Sequence, residues 1–339
     1  MAFPLTVLLA AYEDLIEKEL ESEFSSCFDE YDDDSLFSLF HLTRPCLMFV
    51  ADTMRARLQG VQPNTSHPHL SADALVMVTL NYYAHGISSA SLLTKLGLTH
   101  THCPAIIKAK STVASNIEAV CGIPNVLGIL ASPHFRVRVS PYDKEDYGTF
   151  FSPLGYTAVV SQIICDSDGN ILNVEKCEVG STPEQEMWAS STKGKEIEKD
   201  MYGPYWLIGD LLGYCKYILT PVPDPSNESE NRFNEAHAKI QGIMWATLSS
   251  LMRRFKVLLQ LGFAKESSLD QKSNIIKACC VLHNIAKKFS VPSLPVGSEP
   301  VYPGKQHSGT LEVSDEALTA RQALINRVFS ALQMEKILK

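Results

Sequence analysis

Apolar residues recur at helical spacing through the first third of the chain and change to strand-like alternation after Pro124. The opening MAFPLTVLLAAYEDLIEKEL reads as an amphipathic helix. Thr43-Arg44-Pro45 predicts a helix start, with Thr as N-cap and Pro in the first turn, and CLMFVADTMRARL continues it. A linker rich in Pro, Asn, Ser and His spans Gly60–His69, after which Ser71 caps ADALVMVTLNYYAHG, a helix that stops at Gly86. From Ile87 a short helix ends at Gly97, and after a tight connection a longer one runs to about Val120. Taken on spacing alone, this pair is an ordinary αα-hairpin or a helix-turn-helix, and the hairpin is the simpler reading.

Beyond Pro124, NVLGILA and HFRVRVSP read as strands, the latter alternating at Phe135, Val137 and Val139. YTAVVSQIICDSDGNILNVEKCEVG predicts two strands joined by the turn Asp166-Ser167-Asp168-Gly169-Asn170. A helix from Thr182 to Lys199, the strand YWLIGD, a short strand YILTP and a polar loop DPSNESENR follow. Two long helices then come in turn, NEAHAKIQGIMWATLSSLMRRFKVLLQL and LDQKSNIIKACCVLHNIAKKFS. The order β-β-β-α-β-α with a mixed sheet is that of a ribonuclease-H-like core. The predicted organisation is therefore mixed α/β: a helical domain over 1–120 with the helix-turn-helix-like segment at 87–120, a ribonuclease-H-like domain over 121–290, a linker over 291–313 and a final helix over 314–332.

Composition narrows the class. The 339 residues are 45% hydrophobic and 20% charged, the balance of a globular protein with a sizeable core. No apolar run reaches ~18 residues, so no membrane span is expected, and the N-terminus lacks the basic start of a signal peptide. Nine cysteines, an odd number with no C-x-x-C pair, fit a reduced intracellular protein. His67, His69, His100, His102 and Cys103 match no standard zinc spacing. The net charge of -8 is concentrated: eleven acids and one base lie between Glu13 and Asp34, and the rest is nearly neutral. That segment reads as a solvated helix face and loop, or as a dock for a basic partner.

One carboxylate stands out. Asp210 follows the apolar run Tyr205-Trp206-Leu207-Ile208-Gly209, and a strand that delivers an acid at its C-terminal end is a usual way to place a metal ligand or a base. The motifs GIPNVLGI, ICDSDGN, YWLIGD, NEAH, RRFKVL and ACCVLHNI, together with the opening MAFPLTVL and the helix-turn-helix region, resemble those of the Harbinger transposase-derived nucleases. They fall in family order over roughly residues 70 to 290.

The resemblance implies a DDE-type site in which three acids hold two divalent ions, magnesium or manganese, with one ion activating the attacking oxygen and the other stabilising the leaving one. In register, the first acid falls on Ala131 and the third on Trp245, so that only Asp210 remains. A single carboxylate holds magnesium poorly. The expected function is thus a domesticated, catalytically inactive relative that binds DNA or a protein. The alternative is an active metal-dependent nuclease in which Glu178 substitutes, or Glu184 or Glu186 approaches from the next helix. Lys108, Lys110, Arg253 and Arg254 are the candidate phosphate contacts. The resemblance also implies a Myb-like protein partner and a nuclear and cytoplasmic location. His134, His283 and Asn284 read as hydrogen-bonded structural residues, and the adjacent Cys279 and Cys280 point to different helix faces.

Overall fold

A computed structural model describes residues 28, 31–58, 72–85, 106–140, 142–198, 205–209, 217–264, 267–295 and 314–330. The expected opening helix, most of the acidic segment, the 87–105 half of the helix-turn-helix pair and Asp210 lie outside the described residues. Four helices precede the sheet: α1 (Asp33–Phe40), α2 (Arg44–Leu58), α3 (Ala72–His85) and α4 (Ile106–Cys121). α1 forms in the tail of the acidic stretch because Asp32 caps it, accepting from the Ser35 amide at 2.7 Å, while Leu36 and Phe40 turn inward.

The central sheet contains β1 (Val126–Ala131), β4 (Ile163–Cys165), β5 (Ile171–Val174), β7 (Trp206–Gly209) and β8 (Ile218–Leu219) in the order β5-β4-β1-β7-β8. β1 runs antiparallel to β4 and parallel to β7, and β7 runs parallel to β8. Both faces of β1 are covered, which explains its unbroken apolar sequence. Ile129 and Ala131 join Ile163, Cys165, Ile208 and Leu219 in one core, packed by α8 (Glu228–Arg254) and α9 (Leu269–Lys288). Leu130 joins Ile164, Leu207 and Ile218 in a second core closed by Trp188 and Ile197.

Three sequence expectations need correction. YTAVVSQIICDSDGNILNVEKCEVG makes four strands rather than two, because β3 (Ala158–Val160) and β6 (Glu178–Val179) leave the central sheet and pair with β2 (His134–Arg136) in a second, antiparallel sheet. The chain switches sheets at Ser161-Gln162. There the Ser161 hydroxyl donates to the Glu175 carbonyl at 2.7 Å and the Glu175 amide to the Gln162 carbonyl at 2.9 Å, so the break leaves these groups paired. The helix expected over Thr182 to Lys199 is two, α6 (Glu184–Ser190) and α7 (Thr192–Glu198), split where the Ser191 hydroxyl donates to the Trp188 carbonyl and receives the Gly194 amide. The loop DPSNESENR is half helix. α8 starts at Glu228 because Asn227 accepts the Glu230 amide at 3.0 Å and Glu230 takes the Ser226 amide at 2.7 Å. A short helix, α5 (Lys144–Phe150), capped by Asp143, was not anticipated either.

The helices are tied to the sheet by polar anchors at their ends. Arg254, at the end of α8, is buried and donates to the carbonyls of His41 and Pro292, while the His41 ring nitrogen Nδ1 meets the Arg254 carbonyl at 2.8 Å. This joins the N-terminal helices to the sheet domain. The last helix, α10 (Asp315–Val328), lies over the β8 edge, where Arg321 donates to Thr220 and Pro221 and Phe329 meets Phe233 edge to face at 5.9 Å. No described helix is long and apolar enough to cross a membrane.

The turn of the β4–β5 hairpin is as the sequence predicts. The Asp166 carboxylate accepts the amides of Asp168 and Asn170 at 2.9 and 2.8 Å. Gly169 sits at φ +77, and a Cβ there would come within 2.4 Å of the Thr247 hydroxyl on α8. Gly169→Ala is therefore expected to destabilise the fold by at least about 1 kcal/mol in urea unfolding. Adding Thr247→Ala should recover the steric part of that loss and leave the part due to positive φ.

Candidate active site

The parallel strands β1 and β7 end side by side, with Leu130 opposite Gly209. Ala131 is the last residue of β1, and Asp210 follows Gly209 in sequence. Such a C-terminal edge is where open α/β sheets carry their ligands. Here the β1 position is a methyl group 2% exposed, buried in the core that also holds Ile240, Met244 and Leu248 of α8.

α8 crosses this edge and is pinned there. His237 Nε2 meets the carbonyl oxygens of Gly209 at 3.0 Å and Leu219 at 3.2 Å, tying the ends of β7 and β8 to the helix. Two carbonyl acceptors require this nitrogen to carry the proton. Burial, only partly offset by those carbonyls, brings the His237 pKa down to about 4. Asn234 holds the next segment in both directions, accepting the Val222 amide and donating to the Val222 carbonyl, each at 2.8 Å. The NEAH motif thus fixes the sheet edge. Sequence reasoning used the motif only for register, and the unpaired carbonyls at strand ends were the signal for this role.

One and two turns beyond His237 on the same helix face are Gln241 and Trp245. Gln241 is 4% exposed and neither end of its amide has a partner. The Trp245 indole packs against the same large core and its Nε1 is also unpaired, as is the hydroxyl of buried Ser132 just after β1. Unpaired buried polar atoms are uncommon in native folds, and Gln241 was missed in the sequence because a glutamine in a helix carries no motif.

The donor set does not suit a divalent cation. The Ala131 side chain has no lone pair to offer, and an indole N–H donates only. Among the described residues no three His, Cys, Asp or Glu side chains gather to hold a metal ion. The placement expected for Glu178 differs: it lies in β6 opposite Val160, in the second sheet, while Asp210 lies outside the described residues. Glu184 and Glu186 start α6, whose Trp188 packs against the core on the other side of the sheet from α8.

Arg254 is likewise corrected as a phosphate contact, since its guanidinium is buried and its terminal nitrogens are engaged with carbonyls. Arg253 is half-buried at the end of α8. Lys108 and Lys110 fall in α4, but their side chains lie outside the described residues. His283 and Asn284 hold the hairpin: Asn284 exchanges two hydrogen bonds with the Ile171 backbone at 2.8 and 2.7 Å, and His283 Nε2 meets the Gly169 carbonyl at 3.2 Å. Cys279 and Cys280 are buried free thiols whose pKa values burial pushes up. His134 is buried in β2 opposite Val160.

Residues 132–284 match the DDE superfamily endonuclease family, beginning one residue after Ala131. Along most of its length the chain is also similar to a set of animal proteins. It is 27% identical to the "Putative nuclease HARBI1" of Mus musculus and 25% to that of Homo sapiens, each over 327 residues that cover 89% of this chain and 92% of the relative. The Xenopus laevis protein is 24% identical over 325 residues. The chain thus resembles the Harbinger transposase-derived nucleases, as its motifs implied. No solved structure matches it.

The buried imidazoles predict a pH dependence. Burial also lowers the His283 pKa to about 4, so the fold keeps both rings neutral where the unfolded chain, near 6.5, would protonate them. Stability is full above pH 6.5 and falls as pH drops from 6.5 towards 4, by up to roughly 1.4 kcal/mol per pH unit for each ring. Melting temperatures between pH 7.5 and 4.5 should show this decline. In His237→Gln, which keeps a donor for the two carbonyls, the decline should be shallower.

Proposed function

We propose that the central mixed sheet is a ribonuclease-H-like core retired from DNA cleavage, and that the protein acts as a DNA- or protein-binding factor. The observation that carries this reading is Ala131. It ends the central strand beside the strand leading into Asp210, on the side of the sheet crossed by α8, and it has no metal-binding atom. Trp245 adds bulk on the helix that crosses there. With Asp210 the remaining acid of the three, the site retains one ligand where two-metal chemistry needs several.

The sheet order β5-β4-β1-β7-β8, with the first three strands antiparallel and the last two parallel to β1, supports the ribonuclease-H-like reading. DNA contact would fall to Lys108 and Lys110 on α4 and to Arg253, which act on phosphates without reading sequence. A Myb-like partner and distribution between nucleus and cytoplasm complete the proposal.

Labelled duplex DNA with Mg²⁺ or Mn²⁺ tests it. The wild-type chain and Asp210→Asn are both expected to leave the duplex intact, and cleavage by wild type that disappears in Asp210→Asn would overturn the reading. In fluorescence anisotropy with the same duplex, Lys108→Glu with Lys110→Glu should weaken binding and lower the salt slope by roughly two. An unchanged slope removes α4 from the interface.

A further inference from the structure

At the far end of α8 from His237, a cavity of about 280 Å³ opens between α8, α9 and the β4–β5 turn. Arg254 lines it and is 4% exposed. Its terminal nitrogens donate to neutral carbonyls, its Nε has no partner, and among the described residues no carboxylate pairs with it. A buried charge without a counter-ion is costly, and folded proteins normally pair one.

The rest of the lining has a matching character. Lys287 stands exposed at the mouth, with Nζ 2.6 Å from the Asp168 carbonyl. Ser250 of α8 and Ser293 after α9 line it, and Ile243 and Val291 supply an apolar wall. His283, also in the lining, is held neutral chiefly by burial, with the charges of Lys287 and Arg254 acting in the same direction. The one carboxylate in the lining, that of Asp168, is on an exposed residue of the hairpin turn.

We propose that this cavity binds a small phosphate monoester, with the oxyanion taken by Lys287, Ser250 and Ser293 over the charge of Arg254 and the organic group set against Ile243 and Val291. Donors converging from several directions suit a tetrahedral oxyanion better than a planar carboxylate. The volume is at the small end of ligand pockets, enough for a compact ester. The site is independent of the Asp210 edge and of whether that edge is active. The phosphate belongs either to a free ester or to the 5′ end of a DNA strand.

Calorimetric titration of the full chain with inorganic phosphate and with phenyl phosphate, at fixed ionic strength set by chloride, tests the site. Saturable binding is expected, tighter for the phenyl ester. Lys287→Glu should weaken it by roughly tenfold or more, the loss of a charge-assisted contact. Asp168→Asn should tighten it, since it removes the opposing charge. Both side chains are on exposed residues, and circular dichroism checks that both variants fold. No saturable heat with wild type, or equal affinity in wild type and Lys287→Glu, overturns the proposal. Competition by a 5′-phosphorylated oligonucleotide but not by its 5′-hydroxyl form assigns the phosphate to DNA ends, and competition by neither assigns it to a free ester.

Discussion

Strand β1 is buried on both faces, and that constraint orders the rest of the molecule. A strand sandwiched between two helical layers must be apolar along its length, so it can present chemistry only at its open end. In this chain that end is Ala131, a methyl group continuous with the core. Met244 and Leu248 of α8 belong to the same core as Ala131, and the Trp245 ring packs against that core.

The same helix organises the polar anchors. His237 near its start holds the carbonyls of Gly209 and Leu219, and Arg254 at its end holds those of His41 and Pro292. Between them Thr247 fits against Gly169, where a side chain would collide. A buried helix of this length is fixed at both ends by hydrogen bonds to carbonyls left over where strands and helices stop. These anchors hold α8 against the sheet and against the N-terminal helices.

Much of this was legible in the sequence. The apolar run of β1, the Asp166-to-Asn170 turn, the strand before Asp210 and the two long helices each carry a periodicity or turn signal that local physics enforces. Counting between motifs placed the first acid position at Ala131, and the structure puts that residue at the end of the central strand. The second sheet was not legible, because only Ser161-Gln162 separates β3 from β4 and the pairing choice there depends on distant carbonyls. The strand of Glu178 was placed in the central sheet for the same reason, and it pairs in the other. Arg254 looked like part of a basic surface cluster, since burial of a charge cannot be seen from its neighbours in sequence. The unpaired amide of Gln241 could emerge only once the helix face was known.

The most direct measurement is Mn²⁺ uptake by the folded full-length chain, followed by electron paramagnetic resonance during titration and repeated on Asp210→Asn. The account predicts that wild type and variant give the same signal, that of free ion with weak, non-saturating association. Stoichiometric uptake by wild type that is lost in Asp210→Asn would contradict it and would mean that a metal site persists at the end of β7.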